Sequence, residues 1–216
     1  MPQVVPAPLL DASRAQALLG LRQRLLAPFL RSAPGTHLLL LERSDLDAGA
    51  LRMPPTSLGH ASSLRLADGC WSGNVQAHAY ELPFADESMA IVAVSHVFEA
   101  LPDAVALAAE LTRVLQPGAR MLICGLRHWH PQALGLRYRV RRAGGECLLR
   151  TPHALQRLLG AHGFQRELLQ RAGACYVLVL RKPRASARII HLARVRPAHF
   201  SGRVPALPGQ TRRTRR

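Results

Sequence analysis

Apolar residues along the chain gather into short dense runs, separated by helical stretches and by turns rich in Pro and Gly. Thr36–Leu41, Ala90–Val94 and Arg120–Cys124 are apolar at nearly every position, the pattern of strands covered on both faces in a parallel sheet. Between the last two, Asp103–Leu115 reads as a helix. Ser13 opens another, with Leu18, Leu19, Leu21, Leu25 and Leu26 close to one face and Pro28 near its end. Ser32-Ala33-Pro34-Gly35 is a turn. Thr151 and Pro152 suit the N-cap and first position of a helix that stops at Gly160–Gly163. Phe164–Leu169 and Ala174–Arg181 read as closing strands. Weaker strands are predicted at Ser63–Leu66 and Val75–Tyr80, within a poorly patterned region from 42 to 69. There is no internal repeat. These elements predict an N-terminal extension and helix over 1–35, an α/β domain over 36–182, and a basic, unfolded tail over 183–216.

Charge changes this picture at one end. The 216 residues carry a formal charge of +16, and the single lysine is Lys182. No acidic residue follows Glu167, and the last 35 residues hold that lysine and nine arginines. Such a field attracts nucleic acid or an anionic surface, or it is a solvated tail with no partner. Cys70, Cys124, Cys147 and Cys175 lie far apart and form no Cys-x-x-Cys pair, so no metal site is expected. Cys124 and Cys175 fall in predicted strands as small hydrophobes. No apolar run approaches the roughly 18 residues of a membrane span, and no signal peptide is evident. The expected setting is cytoplasmic and reducing.

Leu82-Pro83-Phe84, an acidic turn, the Ala90–Val94 strand, Ser95-His96-Val97-Phe98-Glu99, a helix ending Arg113-Val114-Leu115-Gln116-Pro117-Gly118, and a second strand form an ordered set. In order and spacing it resembles the second half of class I S-adenosylmethionine-dependent methyltransferases, type 11. Thr151–Phe164 and the closing strands are similar to that family's C-terminal part. The chain also looks like a proteobacterial subset of uncharacterised methyltransferase-like proteins that lack the glycine turn. The resemblance implies a doubly wound, mostly parallel Rossmann-like sheet with an antiparallel last strand, and S-adenosylmethionine as cofactor. It implies methyl transfer to an unknown acceptor. The alternative is a non-catalytic descendant of the fold that acts as a binding or regulatory subunit.

The cofactor positions depart from that family's pattern. Leu41-Glu42-Arg43-Ser44-Asp45 stands where a glycine-rich turn is expected, and Gly49 comes too late. No acid ends the second strand at Ala61–Ser63; Asp68 is a displaced candidate for the ribose. His78 replaces the adenine-binding acid, next to Ala79, and the Glu-His pair becomes Glu99-Ala100. By the resemblance, Glu42, Ser44, Asp68, His78, Ala79, Ser95 and His96 would line the cofactor crevice, with weakened or absent binding. His96 is either a general base or a satisfied buried histidine. His128 and Trp129 lie beside the expected acceptor pocket, Trp129 as a stacking platform or as loop packing. Trp71 is expected to pack a loop. Arg137–Arg142 reads either as a phosphate or RNA contact or as a solvated helix face or lid.

Overall fold

In a computed structural model, residues 12–31, 37–44, 59–142 and 146–184 are described here. They form helix α1 (Ala12–Arg31), strands β1 (His37–Arg43), β2 (His60–Ala67), β3 (Cys70–Gly73), β4 (Ala77–His78) and β5 (Met89–Ser95), then helix α2 (Ala104–Val114) and strand β6 (Leu115–Leu126). Helices α3 (Pro131–Arg142) and α4 (Pro152–Ala161) and strands β7 (Gln165–Ala172) and β8 (Cys175–Arg181) complete them. The expected turn at Ser32–Gly35, Gly49, the proline pair at 54–55 and the tail beyond Arg184 lie outside the described residues.

The eight strands form one sheet in the order β4-β3-β2-β1-β5-β6-β8-β7. Strands β2, β1, β5 and β6 run parallel to one another; β3 adds antiparallel beside β2 and β4 antiparallel beside β3, and β8 enters antiparallel between β6 and β7. This is the Rossmann-like α/β sheet with a reversed strand that the sequence led us to expect. The leucines of β1 show why its strand is apolar throughout. Leu38 and Leu40 pack with Leu25, Leu26 and Leu30 of α1 and with Leu136 of α3. Leu39 and Leu41 pack with Leu107 and Leu111 of α2 and with Leu159 of α4. The sheet is therefore a middle layer, and both faces are core. Helix α1, read from the sequence as part of an extension, belongs to that core.

Local chemistry fixes the helix starts. The Asp103 carboxylate accepts from the amides of Val105 and Ala106, and Thr151 Oγ1 accepts from the amide of Ala154. Ala104, Leu107, Ala108, Leu111 and Val114 are buried on α2, the spacing of one helical face.

Three expectations are corrected. Asp68 (φ 48°) and Gly69 (φ 74°) make a two-residue turn that joins β2 to β3, so Trp71 lies in a strand rather than a loop. Its ring is wholly buried and its indole N–H donates to the Ala79 carbonyl at 3.0 Å. The strand predicted over Val75–Tyr80 shrinks to Ala77–His78, because the short β3 offers only Cys70 and Trp71 as partners. Strand β6 begins at Leu115 rather than Arg120. Leu115 pairs with Met89, and the Pro117–Gly118 segment is held by Lys182, whose carbonyl accepts from Gly118 and whose amide donates to Ala119.

Candidate functional site

Parallel pairing brings the carboxyl ends of β1, β2, β5 and β6 to one edge of the sheet. Glu42, Ser95 and Cys124 stand in one row across β1, β5 and β6. Strand order switches at β1, with β2 on one side and β5 on the other, so this edge holds the crevice where open α/β sheets bind ligands.

The expected cofactor residues do not all meet at that edge. The Glu42 carboxylate is wholly buried against α1 and accepts from Arg22 Nη2 at 2.6 Å. Ser44 Oγ donates to the Leu66 carbonyl at 2.8 Å, tying the ends of β1 and β2 together. Asp68 is exposed in the turn at the end of β2 and makes no ion pair among the described residues. His78 is exposed on edge strand β4 and stacks obliquely on Tyr80 at 5.8 Å. Ala79 is buried; its amide donates to Gly69 and its carbonyl accepts from Trp71. Ser95 is buried, and its hydroxyl makes no hydrogen bond among the described residues.

His96 turns inward. Its φ is +58°, a left-handed conformation that is uncommon outside glycine. Its amide donates to the Cys124 carbonyl at 2.9 Å, which holds the loop against β6. Its side chain is fully buried, with Nδ1 3.5 Å from Glu99 Oε2, longer than a well-formed charged hydrogen bond. Glu99 is anchored from its other oxygen, which accepts from the Leu126 amide at 2.7 Å. Burial opposes charge on His96, but the Glu99 carboxylate and the contact with Cys124 outweigh it and lift the imidazole to about 9. Contact with the Cys175 thiol, followed by burial, pushes the Cys124 thiol well up.

The same loop is braced from outside. Arg150 donates to the carbonyls of Phe98, Leu101 and Pro102. The Tyr176 hydroxyl donates to the Arg150 carbonyl at 3.2 Å, and burial raises its own ionisation well above the usual phenol range. Tyr176 passes so close to Gly125 that a Cβ there would lie 2.4 Å from its hydroxyl. Glycine at 125 is thus required by close approach.

Beyond Tyr176 a cleft of about 390 Å³ opens at the ends of β6 and β7 and the start of β8. Arg127, His128, Trp129, His153 and Arg171 line it. Trp129 is 84% exposed and meets the His128 ring edge-on at 5.0 Å. His128 Nδ1 is buried without a hydrogen-bond partner among the described residues. Both expected acceptor residues therefore share one cleft. Arg137–Arg142 lies on α3, where Leu136 and Val140 face the core and Arg137, Arg141 and Arg142 are exposed.

His96, Cys124 and Cys175 belong to three elements and no sequence spacing signals that they meet; their ligand atoms lie within 4.8 Å of one another. All four cysteines are free thiols. No helix among the described residues is long and apolar enough to cross a membrane.

A methyltransferase domain family model matches residues 45–123. No curated protein matches the chain. Among solved structures, the chain is similar to an S-adenosylmethionine-dependent methyltransferase of Thermotoga maritima, at 14% identity over 76% of this chain and 89% of that one, with a TM-score of 0.52. It is similar to a Bacillus halodurans protein assigned as a methyltransferase, at 15% identity over 74% and 98%, TM-score 0.54. It is also similar to the [4+2]-cyclase SpnF, at 12% identity over 78% and 82%, TM-score 0.50. The chain has the Rossmann-like fold of these proteins, a fold that serves more than one chemistry.

Against S-adenosylmethionine the site divides. Asp68 and Ser95 fit, as an exposed carboxylate at the end of β2 and an unsatisfied hydroxyl at the end of β5. Glu42 and Ala79 are already engaged by Arg22, Gly69 and Trp71, and His78 faces solvent on an outer strand.

Proposed function

We propose that the chain transfers a methyl group from S-adenosylmethionine to an acceptor bound in the Trp129 cleft. The observation that carries this reading is the placing of Asp68, Ser95 and the cleft along one edge of a methyltransferase-type sheet. The cofactor, when bound, supplies a methyl carbon activated by sulfonium, so the protein's work is mainly positioning. Asp68 would hold the ribose hydroxyls and Ser95 would donate from the end of β5. Arg127, Arg171 and the histidines suit an anionic acceptor, and Trp129 suits a flat one. Four free cysteines suit a reducing, cytoplasmic setting. The nine arginines after Lys182 add a polyanion-attracting segment, for nucleic acid or an anionic surface.

Calorimetry with S-adenosylhomocysteine tests the reading. Binding that Asp68→Ala weakens about tenfold or more supports it. No heat at millimolar ligand favours the second reading, a non-catalytic binding or regulatory subunit. The burial of Glu42 against Arg22 and the engaged amide of Ala79 are the observations that favour that second reading.

A further inference from the structure

Strands β6 and β8 pair so that Cys124 lies opposite Val177 and Leu126 opposite Cys175. The two thiols are therefore diagonal neighbours on one face of the sheet. The loop after β5 brings His96 onto them, fixed by its amide bond to Cys124 and its left-handed backbone. An imidazole nitrogen and both sulfurs lie within 4.8 Å of one another, and all three residues are buried. Neither nitrogen of His96 makes a hydrogen bond among the described residues. Nδ1 has only the Glu99 carboxylate, at 3.5 Å, and Nε2 is buried with no hydrogen bond among the described residues; such a nitrogen is costly, and strained backbone that persists marks a place where something is held.

We propose that His96, Cys124 and Cys175 form a closed site for one thiophilic metal ion, of the Zn(II) or Cu(I) type, steadied by Glu99. Two thiolates and an imidazole select such ions over Mg(II) or Ca(II), which take oxygen. An ion about 2.3 Å from sulfur and about 2.1 Å from nitrogen needs its donors roughly 3.5–4 Å apart. The observed triangle reaches that with movements under about an ångström. Glu99 Oε2 faces Nδ1, so Nε2 is the nitrogen that binds the metal. Its other oxygen is fixed by Leu126, which makes Glu99 the outer carboxylate that orients a metal-bound histidine. The three donors come from the β5 loop, β6 and β8, so the ion would pin together the elements beneath the crevice and the cleft. The site is closed, so loading accompanies folding.

Refolding the reduced full-length chain with Cd(II), then removing unbound metal, tests this. The expected result is one Cd(II) per chain, a sulfur-to-metal charge-transfer band and a raised Tm. Cys124→Val and Cys175→Val, which keep volume and strand propensity, should each weaken loading at least tenfold. Glu99→Gln should weaken it about 10–100-fold. Cys70→Ser and Cys147→Ser should leave the band unchanged, and competition with Zn(II) and Cu(I) ranks the natural ions. A wild-type chain that refolds without retaining Cd(II) overturns the proposal, whatever the variants do. So does a band that survives loss of both Cys124 and Cys175.

Discussion

Arg113 on α2 holds the carbonyl of Leu82 at 3.0 Å, while Glu110, one turn earlier, accepts from the amide of the same residue at 2.6 Å. Arg113 also reaches the Phe84 carbonyl and the Asp86 carboxylate, and it pairs with Glu110 itself. Two sequence features thirty residues apart, Leu82-Pro83-Phe84 and the arginine near the end of α2, are thus one structural unit.

This unit gives a pH dependence with a definite sign. The bond from Arg113, followed by that from the Leu82 amide, outweighs burial and lowers the ionisation of Glu110. A carboxyl lowered in the folded state stabilises it above the unfolded value of 4.5, and that stability is lost as pH falls through the folded value. Denaturant midpoints measured between pH 7 and pH 3 should fall more steeply for the wild type than for Glu110→Gln. Parallel curves would refute this.

The Arg22–Glu42 pair should be structural. Glu42→Ala leaves a buried guanidinium without its carboxylate and is expected to destabilise by about 3–5 kcal/mol, read from the shift in denaturant midpoint. Glu42→Ala that holds its midpoint yet loses S-adenosylhomocysteine binding would place Glu42 in the crevice instead.

Gly125→Ala forces a Cβ into the Tyr176 hydroxyl. Tyr176 is 1% exposed and cannot swing into solvent, so overpacking of about 1–3 kcal/mol is expected. Adding Tyr176→Leu, which removes the hydroxyl and the ring carbons at 2.5 and 2.8 Å, should recover part of that loss in a double-mutant cycle.

Trp129→Ala removes a side chain that supports little of the core. Thermal stability should change by no more than about 0.5 kcal/mol. Acceptor-dependent turnover, once an acceptor is in hand, should drop through KM. A large fall in Tm would mean that Trp129 packs the loop.

A chain ended at Arg184 should fold as the full chain does, because Lys182 is still present to join Gly118 and Ala119. It loses eight arginines, so binding to single-stranded RNA and to anionic vesicles should fall sharply and the salt dependence should flatten. Unchanged binding would direct attention to Arg137, Arg141 and Arg142 on α3.

The central strands were legible because residues such as Leu38–Leu41 are apolar on both faces, which leaves few other structures open to them. The Asp103 and Thr151 caps were legible because their chemistry is local. The β2–β3 hairpin was also written in the chain, as Asp68-Gly69, a pair suited to a turn with two left-handed residues. Reading Asp68 as a displaced ribose acid hid it. The engagement of Glu42 and the meeting of His96 with Cys124 and Cys175 were not legible. Each depends on how elements far apart in sequence approach in space, and no spacing rule encodes that.

Lys182 has a consequence for handling the protein. Its ammonium donates to the carbonyls of Thr112 and Leu115, where α2 runs into β6, a place that favours a compact cation. As the only lysine in the chain, it carries the one side-chain amine, and it stands at the start of the arginine-rich segment. While α2 and β6 are in place the amine is sheltered. Labelling of the side-chain amine should therefore proceed at the rate at which this junction opens, giving a single-site clock for local unfolding with no engineered probe.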